Sequence, residues 1–433
     1  MQTGAVALLP GQSHEGHLAA GQHDRFRVAL AAGQGVALVL QQNDAMLRLH
    51  WSSDGGESPL LSTQAGRMAA ITAHLLAKVA TTWTIDVQVA KSDRAATYHL
   101  HLGAAHALTA HDRELAVAER QFADAETIRV AAGGVEPGKK NADLATARAD
   151  YRRAAGHWRN QDAACAVLAA NVGLARLEMA QARYPQAQAA AQAALDAGCD
   201  DEHDLAVAAD RAAALRTLAS SLGYEGDFEA SAVASERALA LYRRTGDQRF
   251  QGVVLGNLSA VYRSLGEMQK ALVAAQTALG IAIETDDAQG VAFSRENIAN
   301  AYLARGELAS ALAAYRRTLD DLRTTPYPMT EGLVWNELGT LYRRLGDSAE
   351  AQHAWQHARA VWETTGDRSG MADTWINEGE AALDESAYAT AAAAFLRALD
   401  IARADRLRSP ELHALRGLGM VAAGLGQFGE AAR

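Results

Sequence analysis

A chain of 433 residues, 49% apolar and 21% charged, can bury a large core and is too long for one ordinary compact domain, so two domains or a domain with a repeat array are expected. A formal net charge of −10, with no basic run longer than a pair such as Lys139-Lys140, leaves no excess of cations to neutralise phosphates and argues against nucleic acid as a partner. With only Cys165 and Cys199, neither a disulfide framework nor a cysteine-rich zinc site can be built, while one bridge between the two stays open.

Met1 to Gly11 has neither a cationic start nor an apolar run of secretory length, so the chain as given carries no expected export signal, and no run of eighteen uncharged apolar residues predicts a membrane span. From residue 15 to 104 apolar residues alternate with period two, as in Phe26-Val28-Leu30, Val36-Leu38-Leu40, Leu47-Leu49-Trp51, Trp83-Ile85-Val87-Val89 and Tyr98-Leu100-Leu102. Turn formers at Ala32 to Gly35, Gln42 to Asp44, Ser53 to Gly56 and Lys91 to Asp93 separate the runs. Residues 1–105 are therefore expected to form a small antiparallel β-sandwich of seven or eight strands.

After Gly103 the pattern turns helical, and a position occupied by Gly226, Gly266, Gly306, Gly346, Ser386 and Gly426 recurs every 40 residues. Each unit reads as helix A, a tight turn, helix B and a connector. Helix B carries small residues four before and three after a larger one, as in Ala351-Trp355-Ala358 and Ala391-Phe395-Ala398, which puts them on one stripe where a partner helix approaches closely. Helix A carries Trp335, Leu338, Gly339 and Tyr342 in W-x-x-L-G-x-x-Y spacing, and this array resembles the tetratricopeptide (TPR) repeat. Tyr184 with Ala187-Ala191-Ala194 marks a seventh unit, and Ala147-Tyr151-Ala154 a degenerate eighth, preceded by a helix near 111–130 and a flexible stretch from Gly133 to Lys140. The expected fold is mainly α, a right-handed TPR solenoid of about seven to eight units, with a helical linker and degenerate first repeat at 106–160 and the array at 161–433. The chain stops inside a helix B with no capping helix, so a longer native chain is expected.

The β-region, with Asp24-Arg25-Phe26-Arg27-Val28 and Tyr98-His99-Leu100, resembles the sandwich that precedes many secreted bacterial peptidases. Followed by Ala118-Glu119-Arg120-Gln121-Phe122 and 40-residue repeats, it resembles the front half of bacterial CHAT-domain proteins, whose caspase-like domain lies further on. That resemblance implies an interaction arm and transfers no catalytic residue. The repeats also resemble those of kinesin light chain and of bacterial peptide sensors, in which helix A asparagines face a groove and hold a peptide backbone. The equivalent slot, nine residues before each turn, holds Asn257, Asn297 and Asn377, with Glu337 interrupting and Asn336 beside it. An amide donates and accepts, so it can pair with an extended peptide whatever its side chains, and Arg263 and Arg343 can add anion contacts. The alternative is that these asparagines are polar residues of a solvated surface.

Other chemistry is thin. His353 and His357 have metal-gripping i, i+4 spacing but no third ligand at ligand spacing, and ordinary exposed histidines are the better reading. His14-Glu15-Gly16-His17 is one residue short of H-E-x-x-H and is expected in a loop. His99 and His101 share a strand face that His50 could approach, with an outward polar face as the plainer reading. Cys165 reads as a small core residue. Trp51, Trp83 and Tyr98 could form a carbohydrate platform but lie in core phase. No P-loop, Rossmann or nucleophile-elbow motif occurs. The sequence thus predicts a scaffold that binds a protein or peptide in a concave groove, without catalysis, metal or cofactor in this chain, and with self-association through repeat faces open. The alternative is the sensor arm of a CHAT-type cysteine peptidase.

Overall fold

The computed structural model describes residues 5–19, 21–42, 47–53, 60–62, 70–89, 95–131, 137–199, 204–324, 326–405 and 407–426. The chain divides into two units, residues 1–257 and 258–433.

The first unit opens with two β-sheets. One has the order β1 (Val6–Ala7), β3 (His23–Leu30), β8 (Thr81–Val89), β5 (Leu47–Ser53), β6 (Leu60–Ser62); the other has β10 (His106–Ala107), β4 (Gln34–Gln42), β9 (Ala96–Leu102), β2 (Ser13–Leu18), with β7 (Ala70–Ala77) also paired to β4. Because side chains alternate across a strand, Phe26, Val28, Leu49 and Ile85 of the first sheet and Leu38, Leu40, Leu75 and Leu100 of the second meet in one core. Ten strands are thus described where seven or eight were expected. Strand β7 escapes notice because Ala73 and Ala77 fill two of its inward positions and weaken the alternation. The His14 to His17 segment is strand β2, not a loop: it pairs with β9, and Gly16 lies opposite Tyr98, whose ring would lie 2.3 Å from any Cβ there. Trp51 and Tyr98 are buried and Trp83 packs half-buried against the core, so no exposed aromatic platform forms from them. His99 and His101 lie on β9 and His50 on β5 of the other sheet; they do not converge.

Helix α1 (Ala110–Ala131) docks on this β-domain. Glu119 accepts from the backbone N–H of His74 (2.7 Å) and pairs with its Nδ1 (2.6 Å), while Ala123 enters the β-core. Burial alone would lower the His74 imidazole pKa, but the Glu119 carboxylate outweighs it and raises it. Asp112 closes a capping box, accepting from the Thr109 N–H and hydroxyl. Helix α2 (Pro137–Arg159) follows. Pro137 to Lys140 form its first turn, where a flexible stretch was expected, because proline is pre-shaped for the start of a helix; residues 133–136 lie outside the described residues.

Helices α3 (Ala164–Ala180), α4 (Tyr184–Leu195), α5 (Leu205–Glu225), α6 (Phe228–Arg244) and α7 (Gln248–Ser264) continue the pattern, the boundary between units falling within α7. Then come α8 (Met268–Glu284), α9 (Ala288–Ala304), α10 (Leu308–Thr324), α11 (Pro328–Leu345), α12 (Ser348–Thr365), α13 (Arg368–Asp384), α14 (Tyr388–Asp405) and α15 (Arg408–Gly424). Odd-numbered helices are helix A and even-numbered ones helix B of a TPR-type α-solenoid. The helix B expected after α15 lies outside the described residues. All six 40-residue turn positions have positive φ, from 58° at Ser386 to 86° at Gly226. A second series at Gly246, Asp286 and Gly366, half a period out of phase, does the same between units and was not read from sequence. Asp227, Asp247, Asp287, Asp347 and Asp367 follow directly and cap the next helix, so the links stay three residues or shorter.

Large helix B side chains lock the units. Trp355 is 1% exposed and donates from Nε1 to the Asn336 carbonyl (3.2 Å), and a Cβ on Gly339 would sit 2.2 Å from that nitrogen. Substitution Gly339→Ala is therefore expected to lower the unfolding free energy by roughly 1–3 kcal/mol, read as a fall in urea midpoint, because the indole is held by its hydrogen bond.

Cys165 is not an isolated core thiol: it is bridged to Cys199, sealing the start of α3 to the segment after α4. The two are separated by 34 residues, so the bridge restricts the unfolded chain. The double substitution Cys165→Ala, Cys199→Ala is expected to cost about 3–4 kcal/mol in urea unfolding, and reductant should bring the unsubstituted chain down by the same amount.

Candidate functional site

A recess of the second unit lies along the helix A side, where α11 packs against α13 and α13 against α15. Its volume is about 330 Å³, with Leu333, Trp362 and Ile376 as apolar wall and Asn336, Glu337, Asp373, Asn377, Glu380, His413 and Arg416 as polar lining. Helical periodicity places them there: in α13, Asp373, Asn377 and Glu380 follow at four and three residues and form one stripe.

Two predicted asparagines meet in this recess. Asn377 Nδ2 donates to Asn336 Oδ1 at 3.1 Å, which leaves the Asn377 carbonyl oxygen and second N–H without a partner among the described residues. Asn336 is buried, and its backbone carbonyl holds Trp355, so its side chain is set by packing. Asn297 is buried and turned back on its own helix, donating to the Phe293 carbonyl at 3.0 Å; it does not line the recess. Asn257 belongs to the first unit and is half-buried. Arg343 bridges Glu380 (3.1 Å) and Asp384 (3.5 Å), and Arg263 is exposed.

Charge in the recess is mostly negative. Burial raises the pKa of Glu337, against the pull of Arg263 and Arg344 and a hydrogen bond from Asn336. Glu380 has Arg343 as its counterion, and Arg416 is the arginine of the lining. Glu337 was read as an interruption of the asparagine series, whereas the structure makes it part of the same surface. Asp373, Glu380, His413 and Arg416 were missed, and the signal that finds them is the phase of Asn377 carried along α13 and across to α15.

On α12, His353 and His357 are exposed, with Nε2 atoms 3.3 Å apart, and His357 stacks on Trp335 at a centroid distance of 4.5 Å. Trp375 lies between two guanidinium groups, Arg359 at 4.4 Å and Arg397 at 4.5 Å. Neither cluster lines the recess.

A polar chain runs through the buried side of α9. The Tyr315 hydroxyl donates to Asn300 Oδ1, and Asn300 Nδ2 donates to Glu296 Oε1 at 2.5 Å. Glu296 is 5% exposed, and burial, helped by the charge of Glu337, pushes its pKa from 4.5 up to about 7 despite the Asn300 bond. A carboxyl raised in the folded state stabilises the fold fully below its unfolded value near 4.5 and loses that contribution as pH rises through about 7. Glu296→Gln should therefore raise stability at pH 8 by on the order of 3 kcal/mol and change little at pH 4, measured as paired thermal melts.

Residues 210–284, 250–324 and 330–404 each match the tetratricopeptide repeat family model, and the chain carries TPR repeats. Its fold is similar to the apo form of RapI, with a TM-score of 0.53 at 11% identity over 64% of this chain and 97% of that one. A Rap protein complexed with competence and sporulation factor gives 0.53 at 12% over 74% and 83%. Aspartyl phosphate phosphatase F from Bacillus subtilis gives 0.50 at 11% over 74% and 88%. At such identities the likeness is one of fold. No curated protein matches the sequence. Among the described residues no helix is long and apolar enough to cross a membrane.

Proposed function

We propose that the chain is a polypeptide-binding scaffold and that the α11–α13–α15 recess takes the backbone of an extended segment. The observation that carries this reading is the Asn336–Asn377 pair: one amide is fixed by packing and orients the other, whose free carbonyl and N–H match the alternating donors and acceptors of an extended chain. The Leu333, Ile376 and Trp362 wall offers an apolar pocket for a side chain beside them. The Rap protein of similar fold was solved with competence and sporulation factor, which supports the same use of such a fold.

A two-sheet β-domain ahead of the repeats favours an alternative reading, as the sensor arm of a CHAT-type cysteine peptidase. In that role groove occupancy would bias the attached domain, and this chain itself would supply no catalytic residue.

The test is to select peptides from a displayed random library on the full chain and measure their affinity by fluorescence anisotropy. Asn336→Ala with Asn377→Ala should weaken selected peptides at least about tenfold, a loss of about 1.4 kcal/mol, while Asn297→Ala, whose amide is committed to its own helix, should leave them unchanged. Equal affinity in the double variant would remove the recess from the reading.

A further inference from the structure

The helix A side of the first unit handles its arginines differently from one another. Glu178, 1% exposed on α3, accepts from Arg148 Nε at 2.7 Å and lies within 3.3 Å of Arg183 Nε and 3.9 Å of Arg152. Glu126 holds Arg129 through Nε (3.1 Å) and Nη2 (2.6 Å) and also accepts from the Tyr151 hydroxyl. Arg176, two residues before Glu178, has no such partner. Its Nε is sealed from solvent with no acceptor, and among the described residues no hydrogen bond or ion pair reaches it.

Its surroundings add positive charge. Arg216 on α5, the helix against which α3 packs, puts its guanidinium 5.0 Å from the Phe250 ring centroid and its Nε 3.4 Å from the Tyr242 hydroxyl, with no carboxylate in either contact. Burial, then the charges of Arg216 and Arg129, lower the Arg176 pKa, against the opposing pull of Tyr242 and Glu126. Asp210 senses the charge of Arg176 but forms no ion pair with it. A sealed Nε–H left without an acceptor opposes folding, and the fold keeps this one.

The repeat register says which surface is involved. Arg176 precedes the left-handed residue Ala182 by the same interval that separates Glu380 from Ser386, and Arg216 precedes Gly226 as Arg416 precedes Gly426. Glu380 and Arg416 line the recess of the second unit, where the pair is of opposite charge. At the matching positions of the first unit both residues are arginine.

We propose that Arg176 and Arg216 bind an oxyanion, a carboxylate or a phosphate group of a ligand, on the α3–α5 face. The planar guanidinium fork suits both groups, and Arg176 is half-buried, with no hydrogen bond or ion pair among the described residues to engage its fork. The inference stands apart from the recess reading, since it involves other helices and another chemistry.

The test uses the full chain labelled with ¹⁵N-arginine, with the Arg176 Nε–H resonance assigned by its loss in Arg176→Lys. Inorganic phosphate and acetate are titrated in separate arms at constant ionic strength, with chloride as control. A saturable shift with phosphate alone, acetate alone or both supports the site and tells which anion it takes; a resonance that moves with neither, or equally with chloride, overturns it. Arg216→Met, which leaves that resonance in place, should weaken the response at least tenfold, and an unchanged response removes Arg216 from the site. Arg176→Met should raise the melting temperature in anion-poor buffer and abolish the rise that the effective anion gives the unsubstituted chain. A lower melting temperature there, or a retained anion response, shows that Arg176 is a structural residue and overturns the proposal.

Discussion

The repeats depend on how closely one helix can approach the next, and that distance is set by aromatic side chains pressed onto glycines. Trp362 of α12 sits over Gly332 of its own unit and Gly370 of the following one, where any Cβ would come within 2.7 Å of the indole. Phe395 of α14 does the same between Gly379 and Gly417. One helix B residue thus fixes two helix A neighbours, and the interiors of close-packed proteins leave little slack to absorb an added carbon. Left-handed residues at the turns, followed by an aspartate cap at Asp227, Asp247, Asp287, Asp347 and Asp367, return the chain in register for the next contact.

Once this packing has claimed the small and aromatic positions, the remaining helix A positions are free to carry polar groups, and these define the candidate site. Asn336 belongs to both sets: its backbone holds Trp355 and its side chain holds Asn377. The recess is therefore organised by the same contact that closes the repeat, which places its donors and acceptors before any ligand arrives. Preorganised polar groups bind with less loss of conformational freedom than mobile ones. Glu296, Asn300 and Tyr315 show the opposite outcome, a polar chain sealed inside the unit and satisfied by its own members.

The β-domain of the first unit is joined to α1 by a few specific contacts. Glu119 meets both the backbone and the ring of His74, Ala123 enters the sheet core, and the Thr109–Asp112 capping box fixes where α1 begins. A helix start defined this tightly gives the first helix pair its direction.

The sequence by itself determined the period, the helix pairs and the alternation of the sheets, because these rest on spacings of two, three, four and forty residues that a chain carries whatever its surroundings. Glycines at the A–B turns and the Trp355 and Phe395 positions were legible for the same reason. Only the tertiary structure decided which polar residues meet. Asn297 and Asn377 occupy the same slot, yet one bonds its own helix and the other crosses to Asn336, since the outcome turns on what the neighbouring helix presents at that height. The Cys165–Cys199 bridge, the strand at His14 to His17 and the unpartnered Arg176 were likewise hidden, because each depends on residues distant in the chain being brought together or kept apart by the packing.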